Sequence, residues 1–136
     1  MSNIVDVVLA DKNLATMSQT VKAAGLDVEL SKMGPFTVFA PSEIAFGKLA
    51  NGILTDWMKP ESMIKLSAIL HHHVVKGKTS FKDLKDGKKL VSVNGWELQV
   101  RVANGEVTIN GAKVQSRDTE ASNGVVHSLD TVLLVN

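Results

Sequence analysis

Three consecutive histidines, His71, His72 and His73, are the residues of this chain best suited by type and spacing to do chemistry. On an extended strand alternate side chains share a face, so His71 and His73 would point the same way and offer a two-nitrogen chelate to zinc or copper. A catalytic zinc needs a third protein ligand, and His127 or Asp130 would supply it only if the fold converges there. The competing reading of the run is structural, with one face of the strand buried and the other wet. That reading is the main one, and no metal or other cofactor is expected. A small-ligand or metal-binding protein working through the His71–His73 strand is the alternative.

Nucleophilic chemistry has less support. The chain contains no Gly-x-Ser-x-Gly, no Gly-x-Gly-x-x-Gly and no glycine-rich phosphate loop. Ser42 follows Pro41 and precedes Ala45, Phe46 and Leu49 on one helical face, the position of an N-cap. Ser128 lies between His127 and Asp130, but alternation along a strand puts His127 and Ser128 on opposite faces. A protein that is not an enzyme is the expectation.

The elements that must position these residues divide the chain in two. Leu14, Met17, Val21 and Ala24 recur at spacings of three and four before Gly25, which predicts an amphipathic helix, with a shorter one over Ile4–Leu9. Phe36–Phe39 reads as a buried strand ended by Pro41. A helix follows Ser42 and ends at Asn51-Gly52. Pro60-Glu61 opens another, with Met63, Leu66 and Leu70 on one face, and His71–Val75 reads as a strand entered directly from it.

Beyond Gly87 the period changes to two: Trp96, Leu98, Val100 and Val102 alternate with Glu97, Gln99 and Arg101. Asn-Gly at 94–95, 104–105, 110–111 and 123–124 favours the positive φ angles of tight hairpins. Strands are predicted at Lys89–Val93, Trp96–Val102, Glu106–Ile109, Lys113–Ser116 and Val125–Val135. Helices first and an antiparallel meander after make an α+β domain. Trp96, in phase with Leu98 and Val100, is assigned to the core; Trp57, beside Met58, is the better candidate for the surface.

Size and charge narrow the function classes. A chain of 136 residues fits one domain, 1–136, and 44% hydrophobic content supplies its core. Net charge is +1, and the densest basic run, Lys82, Lys85, Lys88 and Lys89, is interleaved with Asp83 and Asp86. That is a solvated surface, and no nucleic-acid partner is expected. The absence of cysteine excludes disulfides, thiolate metal sites and a cysteine nucleophile together. No apolar run approaches the roughly 20 residues of a membrane-spanning helix. The first residues, Met-Ser-Asn-Ile-Val-Asp, carry no basic region followed by an apolar stretch, so no signal peptide is read there and a cytoplasmic location stays open.

Three segments in order carry a resemblance: 34–46 (GPFTVFAPSEIAF), 69–77 (ILHHHVVKG) and 123–134 (NGVVHSLDTVLL), with 110–114 (NGAKV) between the last two. Together they resemble the fasciclin-type adhesion domain, over residues 3 to 135. The resemblance implies a wedge-shaped antiparallel β-sandwich with helices packed on it. It also implies a secreted or cell-surface adhesion or matrix-interaction module without cofactor, binding a cell-surface or matrix protein or a glycan.

A single copy gains no avidity, so a monomer or weak self-association is expected. The resemblance makes Thr37, His73, Asn123, Gly124, His127 and Asp130 structural motif residues. Its partner-binding positions fall on His72, where the family has a tyrosine, and on Asp118 and Thr119, where some members have Asp-Ile. Imidazole is smaller and more polar than phenol, so the tyrosine's own receptor contact does not carry over to His72.

Overall fold

A computed structural model describes residues 3–31, 35–48, 52–93, 95–115 and 119–133. The chain opens on three short helices, α1 (Ile4–Ala10), α2 (Ala15–Ala23) and α3 (Leu26–Leu30). Asn3 and Asp6 cap α1 reciprocally, each side chain accepting from the other's backbone N–H, which satisfies two donors that a helix start otherwise leaves bare. In α2 the buried Thr20 and Val21 follow Met17 by three and four residues, on one stripe. Gly25, at φ +76°, turns the chain from α2 straight into α3.

Strand β1 (Phe36–Pro41) follows, then α4 (Glu43–Gly47), α5 (Ile53–Trp57), α6 (Met63–His71) and β2 (Val74–Lys76). After β2 come one 3-10 turn, Phe81–Asp83, and then the strands β3 (Lys89–Val91), β4 (Glu97–Ala103), β5 (Glu106–Ile109), β6 (Ala112–Lys113), β7 (Thr119–Ala121) and β8 (Gly124–Leu129). Two four-stranded sheets result, in the orders β2-β1-β8-β7 and β3-β4-β5-β6. All their pairings are antiparallel except β1 with β8, which run parallel from Phe36↔Gly124 to Pro41↔Leu129.

Two single bridges, Val75↔Ser92 and Val114↔Leu129, join the sheets. They close a ring through β1, β2, β3, β4, β5, β6 and β8. The interior of that ring is one core, built on Phe39, Leu98, Val100, Ile109 and Leu129. The second core lies on the opposite face of β1 and β8, where Val38, Ala40 and Val126 meet Ile4, Met17 and Leu66 of the helices. Alternation along β1 therefore feeds both cores, which is why β1 and β8 are buried almost throughout while β4 alternates buried and exposed.

The α+β architecture with a helical first half agrees with the expectation from sequence, and the meander of β3 to β6 is present. Several details differ. His71 is the last residue of α6, not the first of a strand, because Leu66, Ile69 and Leu70 carry the helical stripe to that point and the strand begins only at Val74. The last strand ends at Leu129, and β7 precedes it. The parallel β1–β8 pair leaves no mark in local periodicity.

The hairpin residues Asn104, Gly105, Asn110 and Gly111 have positive φ, as their turns require. Asn123-Gly124 joins β7 to β8 differently, as described below. Trp57 is buried, 4% exposed, and Trp96 is 38% exposed, the reverse of their expected placement. Trp96 does point to the inward side of the β3–β4 ribbon, opposite the buried Ser92. It stands at the open mouth of the ring, where that face is left partly uncovered.

Candidate functional site

Thr37, His73, Asn123 and His127, all from the resemblance segments, are buried, and each is tied to backbone. Thr37 Oγ1 donates to the Gly77 carbonyl (2.6 Å) and accepts from the Thr79 N–H (2.7 Å). His127 Nε2 donates to the Thr79 carbonyl (2.9 Å), and its ring stacks on Phe39 with centroids 5.5 Å apart. These contacts fasten the loop after β2 across one end of the ring.

At the helical side, Asn123 Oδ1 accepts from the Ile4 N–H (2.8 Å) while its Nδ2 donates to the Leu30 carbonyl (2.6 Å). One side chain thus satisfies the start of α1 and the end of α3. Gly124 is next to it in the chain. A Cβ there would overlap the Phe36 carbonyl and lie 2.8 Å from Ile4 Cδ1.

His73 joins α6 to the chain beyond β8. Its Nδ1 donates to the Ile69 carbonyl (2.8 Å), and its Nε2 accepts from the Leu133 N–H (2.9 Å). The Leu133 donor fixes the tautomer, since the accepting nitrogen must be the bare one. Burial is the main cause that lowers the His73 pKa from 6.5 to about 4, with the neighbouring His72 adding to it and the Ile69 bond opposing it.

Asp130 Oδ1 accepts from the Lys113 N–H (2.8 Å), and Lys48 lies 3.5 Å from its other oxygen. Burial opposes ionisation, yet the Lys113 N–H, the Thr131 hydroxyl and Lys48 hold the carboxyl below its usual range. Ser42 stands at the N-cap position of α4, but its hydroxyl donates to Gln115 Oε1 (2.9 Å) and makes no cap bond.

His71 and His73 do not share one face, which the alternative metal-binding reading of the run required. His71, on the helix, points to the Ser67 carbonyl (2.6 Å) and Glu29 (2.9 Å), while His73 faces Ile69 and Leu133. Among the described residues no group of three His, Cys, Asp or Glu side chains gathers as a metal site would. Of the partner-binding candidates, Asp118 lies outside the described residues, and Thr119 is exposed on β7. His72 is 2% exposed, so it does not present a side chain at the surface; its ring packs on Trp96 at 4.3 Å between centroids, tilted by 41°.

That pair forms one wall of a cleft of about 270 Å³ at the other mouth of the ring. Its apolar lining comes from Leu98, Ala112, Val132 and Leu133, and its polar lining from Asn110 and Thr131. Asn110 is held by two bonds, accepting from the Gln99 N–H (2.7 Å) and donating to the Glu97 carbonyl (3.3 Å). Thr131 Oγ1 donates to Asp130 (3.1 Å) and accepts from Lys48 (3.4 Å). Both lie in segments that carry the resemblance, but the sequence assigned Asn110 only a turn and Thr131 no role.

A family model described as Fasciclin domain matches residues 12–135. A protein of Synechocystis designated sll1483 is 42% identical over 131 residues, 96% of this chain and 72% of that protein. A second, sll1735, is 37% identical over 135 residues, 99% of each. Among solved structures, a domain pair from the insect cell adhesion molecule fasciclin I superposes with a TM-score of 0.75 at 20% identity, over 98% of this chain and 51% of that one. At that identity the likeness speaks for the fold.

Proposed function

The chain belongs to the fasciclin domain family, and from that premise we propose that it is a non-catalytic adhesion or matrix-interaction module. It acts as one domain over residues 1–136, at the cell surface or outside it. It binds a protein or glycan through its surface without a cofactor. The observation that supports this reading is where the polar motif residues direct their hydrogen bonds. Thr37, His73, Asn123, His127 and Asp130 each hold a backbone group distant in the chain, so they stiffen a frame instead of assembling an acid, a base and a nucleophile around one reacting atom. A stiff frame lowers the entropy cost of binding at its surface. Asp118 and, on the edge strand β7, Thr119 are the proposed contacts.

Saturable binding is the expected result when the labelled domain is added to cells or to extracted matrix. Excess unlabelled folded domain should displace it, and heat-denatured domain should not. Uptake that grows linearly and resists competition would contradict the reading.

A further inference from the structure

We propose that the Trp96 cleft is a carbohydrate subsite that receives one neutral pyranose ring. This rests on the binding-module reading and names its partner as a glycan. A pyranose has an apolar face of axial C–H groups and a rim of hydroxyls, and it needs a flat aromatic surface beside uncharged hydrogen-bonding groups.

The cleft supplies both. Trp96 is 38% exposed although it points to the inward side of its ribbon, and the His72 ring packs against it at 4.3 Å and braces the indole. Asn110 and Thr131 supply polar groups from the same lining. An amide carries two N–H donors and two acceptor positions, so the two bonds that fix Asn110 leave one of each for a ligand. The Thr131 oxygen likewise has acceptor capacity beyond its bonds to Asp130 and Lys48.

Two further observations select the ligand class. At about 270 Å³ the space lies at the small end of ligand pockets, enough for a single ring. No Asp, Glu, Lys or Arg is among its described lining residues, which favours a neutral sugar over a uronic acid, a sulfated sugar or an amino sugar. An aromatic side chain of a peptide would fill the same volume, but it would desolvate Asn110 and Thr131 without giving them partners. The walls are set in advance, since Asn110 is pinned between two backbone groups and Leu133 is held by His73. One ring on such a site binds with a Kd of roughly millimolar order, and contacts along a longer glycan would tighten it.

Tryptophan fluorescence reads the site directly, because Trp57 is buried in the helical core and Trp96 alone among the two borders the cleft. Methyl glycosides of neutral hexoses and short neutral oligosaccharides are titrated into the folded protein. A saturable change in emission is expected, weakened tenfold or more in Trp96→Ala and unaltered in Val91→Ala, an exposed position on β3. If Trp96→Ala does not fold, indole N–H shifts of the unmodified protein decide: the Trp96 signal should move with sugar and the Trp57 signal should not. No saturation with any neutral sugar overturns the proposal, as does a preference for p-cresol, a stand-in for a tyrosine side chain, or for uronic acids. Cell binding without sugar binding would remove this subsite and leave the adhesion reading standing; sugar binding without cell binding would do the reverse.

Discussion

Gly124→Ala is expected to remove a large part of the domain's stability. The added methyl would overlap the Phe36 carbonyl at the start of the parallel β1–β8 pair and press on Ile4 Cδ1, and two of the three obstacles are backbone atoms that cannot rotate away. Relief requires β1 and β8 to separate, and these strands serve both cores. A cost above about 4 kcal/mol is the scale of such an overlap, a large share of the 5–15 kcal/mol that typically holds a domain together. The melting temperature should fall by about 15 °C or more, if a melt is seen at all.

Gly105→Ala is the matched control. Gly105 also has positive φ, +79°, but nothing lies within 4 Å of a Cβ built there. Its cost should be the backbone strain alone, about 1–2 kcal/mol. Equal losses in the two variants would show that the close approach at Gly124 does not matter.

The second large effect is at His73. Replacement by alanine leaves the Ile69 carbonyl and the Leu133 N–H buried without this partner and opens a hole between α6 and the end of the chain. A loss of about 3–5 kcal/mol in urea unfolding is expected from those terms together. Its pH dependence identifies the mechanism. With a folded pKa of about 4 against an ordinary 6.5, neutral His73 contributes fully above pH 6.5. Between about 6.5 and 4 the unfolded chain takes up a proton that the folded one refuses, so that contribution is lost as the pH falls. The stability gap between the protein and its His73→Ala variant should narrow by about 3 kcal/mol from pH 7 to pH 4. A gap that is constant with pH would mean that His73 titrates alike in both states.

The parts of the fold that were legible in the sequence are those written in local spacing. The stripe of Met17 and Val21, the alternation through β4 and the Asn-Gly turns at 104–105 and 110–111 each encode their own element. What was illegible depends on what lies opposite. Three histidines in a row have no periodicity of their own, so only the packing of Ile69 and Leu70 decides that His71 is still helix.

Trp96 has the right phase for a core residue but lies beyond the point where the ring's inward face is covered, and phase says nothing of cover. Asn123-Gly124 does mark the hairpin between β7 and β8, with Ala121 paired to Gly124, but its composition says nothing of Asn123 as a tie between two helices or of Gly124 as a point of backbone approach. The motif residues Thr37, His73 and His127 were identifiable by resemblance, whereas their partners, Thr79 and Leu133, were not, because each contact joins distant parts of the chain. The cleft has the same origin: its walls come from two hairpins, the end of α6 and the residues after β8, which only the closed ring brings together.

Cell retention on a surface coated with the folded domain, compared with a heat-denatured coat of equal density, tests most directly whether this frame exists to bind. The account predicts retention on the folded coat that is lost on the denatured one and reduced by Asp118→Ala or Trp96→Ala, in variants that keep their fold. Equal retention on both coats, or none on either with cells of the source organism and of its hosts, would contradict it.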